Sequence, residues 1–149
     1  MFAQALIAFI ALPGAVAFAV PAVWLWSTAH THPVHLVGLI PLIVGSVGLP
    51  WCVRDFYIVG KGTLAPWAPP QHLVIVGLYR YSRNPMYVSV MLVLLGWATT
   101  FASPELFVYL LCVAAAFHLR VVYGEEPWLA RRYGDAWRAY IERVPRWFG

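Results

Sequence analysis

Apolar residues in this chain are grouped in long blocks rather than spaced at the period of a soluble helix. Residues 2–26 carry no charge at all, residues 34–53 form a second block, and two more cover 86–101 and 105–123. A bilayer core of about 30 Å takes roughly 20 apolar residues per helix, so each block is expected to be a transmembrane span. The segments between them differ in kind. A short polar turn over residues 27–33 follows the first block, and Ala102, Ser103 and Pro104 turn the chain between the last two, with Pro104 suited to a first helical turn. Residues 60–85 are rich in glycine and proline; Pro66, Pro69 and Pro70 remove backbone donors and fix φ, which predicts a structured loop.

Beyond residue 124 the apolar spacing changes to three and four. Leu129, Tyr133, Trp137, Tyr140, Ile141 and Val144 share one side, while Arg131, Arg132, Asp135, Arg138, Glu142 and Arg143 lie mostly on the other. That pattern predicts an amphipathic helix with a basic face suited to the membrane surface, weakened or bent at Gly134. The expected fold is therefore all-α and integral to the membrane. It has about four transmembrane helices, a structured loop over 60–85 and a C-terminal amphipathic interfacial helix in the tail 124–149, all in one domain over 1–149.

Composition strengthens this reading. Of 149 residues, 62% are hydrophobic and 11% charged, with a mean hydropathy of +0.71; a soluble domain carries roughly 25% charged residues. Ala15, Val16 and Ala17 imitate a signal-peptidase site, but no Lys or Arg precedes the apolar stretch, so the first block reads as a span. All ten basic residues fall in the loop after the second block, in the tail, or at adjoining helix ends. The positive-inside rule then puts both termini and the polar loop in the cytoplasm, and with them any active site built from that loop. Cys52 and Cys112 lie far apart in apolar runs, and His30, His32 and His35 have no carboxylate or cysteine partner in sequence, so no metal is expected. No nucleic-acid partner is expected either.

Three polar features fall on the cytoplasmic side. The first is the loop QHLVIVGLYRYSRNPMY, residues 71–87. Gly77 allows a tight turn, Arg80, Arg83 and Asn84 supply donors beside Tyr79, Tyr81 and Tyr87, and Pro85 fits a helix start whose free N–H groups suit an anion. A basic-aromatic membrane anchor accounts for the same residues equally well. The second is Glu125 with Glu126 at the end of a very apolar helix, where each is expected to be solvated, paired with arginine, or bound to a ligand. The third is Arg120, one turn earlier, which either snorkels to the interface or binds an anion. His118 points elsewhere around the helix.

Together these segments resemble the isoprenylcysteine carboxyl methyltransferase family and its phospholipid methyltransferase relatives. The residues that carry the resemblance are QHLV (71–74), GLY (77–79), RNPMY (83–87) and EEPWL (125–129), followed by the ending RYGDAWRAYIERVPRWF. They run from about residue 60 to the C-terminus. The resemblance implies an S-adenosylmethionine-dependent membrane methyltransferase. Gln71, His72, Leu73 and Val74 would contact the nucleoside, largely through backbone groups. Gly77, Tyr79, Asn84, Pro85, Met86 and Tyr87 would continue the pocket, and Glu125 and Glu126 would complete it. Arg120 falls near a substrate-binding arginine, about one residue out of register.

Asn84 stands where isoprenylcysteine-type members have histidine, and phospholipid-type members also have asparagine. An asparagine cannot titrate near neutral pH, so no catalytic base is assigned. A carboxylate acceptor needs none, which places O-methylation of a lipophilic molecule ahead of N- or S-methylation; the partners expected are that substrate and the membrane lipids. The alternatives are a phospholipid N-methyltransferase and a non-catalytic membrane module. A reductase on the same scaffold would want a nicotinamide-binding G-x-G-x-x-G loop, which the sequence lacks.

Overall fold

The fold is a computed structural model that describes residues 10–28, 34–61 and 70–148. Helix α1 starts as a π-helical segment, Ile10–Ala19, and continues as α-helix over Val20–Ser27. A 3-10 turn at Leu36–Gly38 leads into α2, Leu39–Ile58. After the loop and its 3-10 turn at Gly77–Arg80 comes α3, Pro85–Thr100. Helix α4, Pro104–Arg120, is capped by Ser103, whose Oγ accepts from Leu106 N at 3.4 Å. A π-turn, Val121–Glu125, joins it to α5, Glu126–Tyr133, and α6 covers Asp135–Ile141. Among the described residues there is no strand. Residues 2–9 of the first expected span, His30 and His32, and Pro66 and Pro69 lie outside the described residues.

Among the described residues, two helices are long and apolar enough to cross a membrane: Leu36–Ile58, of 23 residues, and Pro104–Tyr133, of 30. Helices Pro13–Ser27 and Pro85–Thr100 are apolar but shorter. Helix α3 is central, packed against α1, α2 and α4, with Val90, Val93 and Leu94 enclosed. Its contact with α2 is unusually close. A Cβ added to Gly45 would stand 2.5 Å from Ser89 O and 2.7 Å from Val93 N, and one on Gly96 would stand 2.5 Å from Leu42 N. Lipid tails are as apolar as leucine, so helices in a bilayer associate through such backbone approach and dispersion rather than through hydrophobic exclusion. The outward sides of α2 and α4 present Val37, Ile40, Ile43, Val44, Val108 and Leu111, all exposed.

The tail departs from expectation in two ways. The apolar span was expected to end near residue 123, but one continuous helix runs from Pro104 to Tyr133. Pro127 lacks an N–H and its ring crowds the preceding turn, which would break an ordinary α-helical ladder; the wider π-turn just before it absorbs both effects. The amphipathic stretch is also two helices, broken at Gly134, whose φ of +51 is a left-handed conformation that glycine adopts without strain. Most of its apolar side is covered by protein. Trp137, Tyr140 and Val144 form a small core with Leu73, Leu129 and Tyr133, so Leu73 of the loop takes part of the place expected for the bilayer surface, while Ile141 stays exposed.

Candidate functional site

The loop owes its path to Gly77, at φ +56. A side chain there would run into the carboxylate of buried Asp55 and approach Trp51 Nε1 to 3.2 Å. From this turn Tyr79 points inward and is buried. Its carbonyl accepts a hydrogen bond from Tyr140 Oη at 2.7 Å, which fastens α6 onto the loop. Burial pushes the phenols of Tyr79 and Tyr140 above their ordinary range, so both remain neutral donors at physiological pH.

The segment after α6 is laced to the residues before α3. Arg83 N donates to Pro145 O at 2.9 Å, while Asn84 Nδ2 and Ser82 Oγ donate to Arg146 O at 3.1 and 3.3 Å. Glu126 joins the same region from α5. Its carboxylate accepts from Arg146 Nε at 2.9 Å and Nη2 at 2.8 Å, and pairs with Arg83 Nη1 at 2.9 Å. Burial lowers the Arg83 pKa while Glu126 opposes the shift, and the bonds to Glu126 raise that of Arg146. Arg83 also lies over the Trp137 ring, 5.6 Å from its centroid.

Glu125 has different company. Its Oε1 accepts from Arg120 Nε at 2.8 Å and from Tyr87 Oη, and the Tyr87 ring stacks on Phe117 with centroids 4.3 Å apart. An ordinary α-helix would turn residues 120 and 125 apart. The π-turn between them, with its i→i+5 period, brings them onto one side. The two adjacent glutamates therefore divide the work: Glu126 fastens the tail, and Glu125 faces a cavity.

That cavity has a volume of about 820 Å³, within the range of small-molecule sites. Of the residues expected to bind cofactor, His72, Leu73, Val74, Tyr79, Asn84, Met86, Tyr87 and Glu125 line it, as does Arg120. Gln71, Gly77, Pro85 and Glu126 do not. Gln71 donates its N–H to Gly60 O at 2.7 Å, Gly77 shapes the turn, Pro85 starts α3, and Glu126 holds the clasp. Not among the expected residues are those with which the tail lines the cavity, Trp128, Leu129, Arg131, Tyr133, Trp137 and Tyr140, nor the apolar Pro13, Val16, Val90 and Phe117. The three-and-four spacing of the tail was the available signal, but it tells only that a partner exists. Among the described residues no cluster could hold a metal ion.

The walls fit S-adenosylmethionine in chemical character. The backbones of Leu73 and Val74 make no hydrogen bond among the described residues, which leaves donors and acceptors free for a base edge. Aromatic rings flank the cavity, Glu125 suits an ammonium or ribose hydroxyls, and the arginines suit a carboxylate.

A helical bundle with lipid-compatible outer faces and a cavity lined by both polar and apolar side chains has the make-up of a membrane protein with room for a small molecule. The family model for phospholipid methyltransferase matches residues 34–136. The chain belongs to that family, which falls within the group of membrane methyltransferases that the sequence resembles and whose members generally use S-adenosylmethionine. No curated protein and no solved structure matches the chain.

Proposed function

We propose that the chain transfers a methyl group from S-adenosylmethionine to an amphiphile drawn from the bilayer. In this reading all four apolar helices cross the membrane, with both termini and the polar end of the cavity cytoplasmic. One observation carries it: a single cavity joins the loop residues His72, Leu73, Val74, Tyr79 and Asn84 to Glu125 and Arg120, and is lined as well by the apolar Pro13, Val16, Val90 and Phe117. The side chains at the polar end are those of the motifs that resemble the methyltransferases.

When bound, S-adenosylmethionine supplies an electrophilic sulfonium methyl. The protein's task is then mainly to align donor and acceptor and to exclude water. The backbone groups of Leu73 and Val74, unbonded among the described residues, would hold the base edge. Glu125, fixed by Arg120 and Tyr87, holds amino or hydroxyl groups. Asn84 spends its amide on Arg146 O and so keeps the tail closed over the cavity. The first acceptor class is a phospholipid amine, favoured by the family match. The second is a lipid carboxylate, favoured by the untitratable Asn84, because an ionised carboxylate reacts without a base.

Titration calorimetry of the purified protein with S-adenosylmethionine tests the reading. Saturable binding is expected, weakened about tenfold or more in Glu125→Gln by loss of a charge-assisted contact, and unchanged in His118→Ala, whose exposed ring lies outside the cavity. Absence of binding, or equal weakening in both variants, overturns the assignment. Transfer of labelled methyl into phospholipids rather than into alkali-labile esters separates the two acceptor classes.

A further inference from the structure

Asp55 stands in the last turn of α2 and is 7% exposed, and its Oδ2 has no hydrogen-bond partner among the described residues. No arginine or lysine among those residues pairs with it, whereas Glu125 is paired with Arg120 and Glu126 with Arg83 and Arg146. Cys52, the Gly77 turn and Tyr79 lie close by, and none of them brings a positive charge. Taking a carboxylate out of water without a partner is costly, and more so at the end of an apolar helix. Such a group persists where its charge is used.

Its surroundings put Asp55 just behind the cavity wall. A Cβ added to Gly77 would strike its Oδ2 and stand 3.3 Å from its Cγ. Two residues after Gly77, Tyr79 lines the cavity, and so does Phe56, the chain neighbour of Asp55. The Phe56 and Tyr79 rings lie 5.7 Å apart. Burial is the largest cause of the raised Tyr79 pKa, and Asp55 is among the charges that add to it, so the field of Asp55 reaches the wall. Asp55 itself does not line the cavity. It therefore acts on a ligand through its field and not by contact, and a protein interior transmits such a field better than water does.

A field of this kind separates ligands by charge rather than by shape. When a lone pair of the acceptor takes the methyl carbon, the carbon–sulfur bond breaks and its electron pair stays on sulfur. The sulfonium of S-adenosylmethionine thereby becomes the neutral thioether of S-adenosylhomocysteine, while the amino, carboxylate and ribose groups are the same before and after. Glu125 is suited to groups that both forms share. We infer that Asp55 is the counter-charge to the sulfonium, a specificity-determining residue that favours the charged cofactor over its neutral product. The inference rests on the methyltransferase reading, but it requires only that the sulfonium lie within this cavity, and its test reads binding without turnover.

Titration calorimetry of the purified chain is run with S-adenosylmethionine, with S-adenosylhomocysteine, and with an analogue in which an amine-bearing carbon replaces the sulfonium and keeps its charge. Opposite charges about 10 Å apart at an effective dielectric of about 20 attract by roughly tenfold in affinity. Asp55→Asn keeps the shape and removes the charge. It is expected to weaken both charged ligands by about that factor and to leave S-adenosylhomocysteine within about twofold. Glu125→Gln, in contrast, is expected to weaken all three alike. A buried charge is screened little, so the wild-type ratio of the two affinities is expected to hold as salt is raised. An unchanged ratio in Asp55→Asn overturns the inference, as does a wild-type ratio that salt abolishes. Equal weakening of all three ligands shows that Asp55 only supports the Gly77 turn, and overturns it too. If Asp55→Asn does not fold, Asp55→Ser carries the same expectation; loss of the fold in both marks the carboxylate as structural and counts against the inference. Failure of the methyltransferase reading is separate: the wild type then binds none of the three.

Discussion

The α2–α3 pair and the cap formed by the loop and tail are held together by opposite means. Between α2 and α3 almost nothing polar is exchanged; glycines at 45, 48 and 96 let each helix touch the other's backbone or small side chains. In the cap, by contrast, Glu126 ties two arginines, and Arg83, Ser82 and Asn84 bond to the carbonyls of Pro145 and Arg146. On the proposed four-span topology the difference follows from the solvent each region meets. Inside a bilayer, apolar side chains gain little by leaving lipid, so shape decides. At the water boundary, partly buried charges have to find partners, and the partners then fix geometry. The cavity lies where the two regimes meet.

Breaking the first regime is expected to have the largest effect. In Gly45→Leu the new side chain would have to displace Ser89 O and Val93 N, which are backbone atoms of α3 and cannot swing aside. Overpacking commonly costs about 1–3 kcal/mol; because backbone is displaced here, we expect about 3 kcal/mol or more, read as a lowered melting temperature in detergent and loss of hydrogen-exchange protection in both α2 and α3. Retained protection in α3 would mean that the two helices are not as closely joined as the glycines imply.

The second regime yields to Glu126→Gln. The Glu126 and Arg83 side chains are only 16% and 13% exposed, so removing the charge strands Arg83 in a partly dry site and releases Arg146. Breaking a fully buried pair costs about 3–5 kcal/mol; partial exposure brings the expectation to about 2–3 kcal/mol. The loss should be local. Residues 135–148 are expected to exchange faster while α2 and α3 keep their protection, and S-adenosylmethionine binding should weaken through an opened cavity. Equal loss of protection in all helices would erase the distinction between the two regimes.

Much of this was legible in the sequence, for reasons that also explain what was not. The third block was read at 86–101 and α3 runs Pro85–Thr100, because an apolar run bounded by Pro85 and a Ser-Pro turn leaves little choice. Motif order brought His72, Tyr79, Asn84, Tyr87 and Glu125 to one cavity. The unbroken passage from α4 into α5 was not foreseen because Gly124 and Pro127 are local stop signals, and only the π-turn reconciles them with a continuing helix. Trp137, Tyr140 and Val144 have a plain apolar period, yet period does not distinguish a lipid surface from Leu73 of a distant loop. The same ambiguity hid the cavity walls at Trp128, Tyr133, Pro13 and Val16. The separate duties of Glu125 and Glu126 were also invisible, since two adjacent identical residues carry no sequence signal about which way each points.

The smallest expected effect sharpens the comparison from its other side. Arg138 Nη1 lies 3.3 Å from Asp135 Oδ1 on α6, an ion pair three residues apart like those that stabilise isolated helices. Its side chains are 76% and 95% exposed, so water and salt compete for both charges and each must surrender rotamer freedom to meet. Such pairs contribute about 0.2–0.5 kcal/mol. Arg138→Gln is accordingly expected to leave the melting temperature nearly unchanged and the exchange of residues 135–148 within error, in contrast to Glu126→Gln on the neighbouring helix. Raising salt should remove what small difference remains, because exposed charges are screened over about 10 Å at 0.1 M. A loss comparable to that of Glu126→Gln would mean that the cap depends on its total of charged contacts; the expected null result means that it depends on the few that are shielded from water.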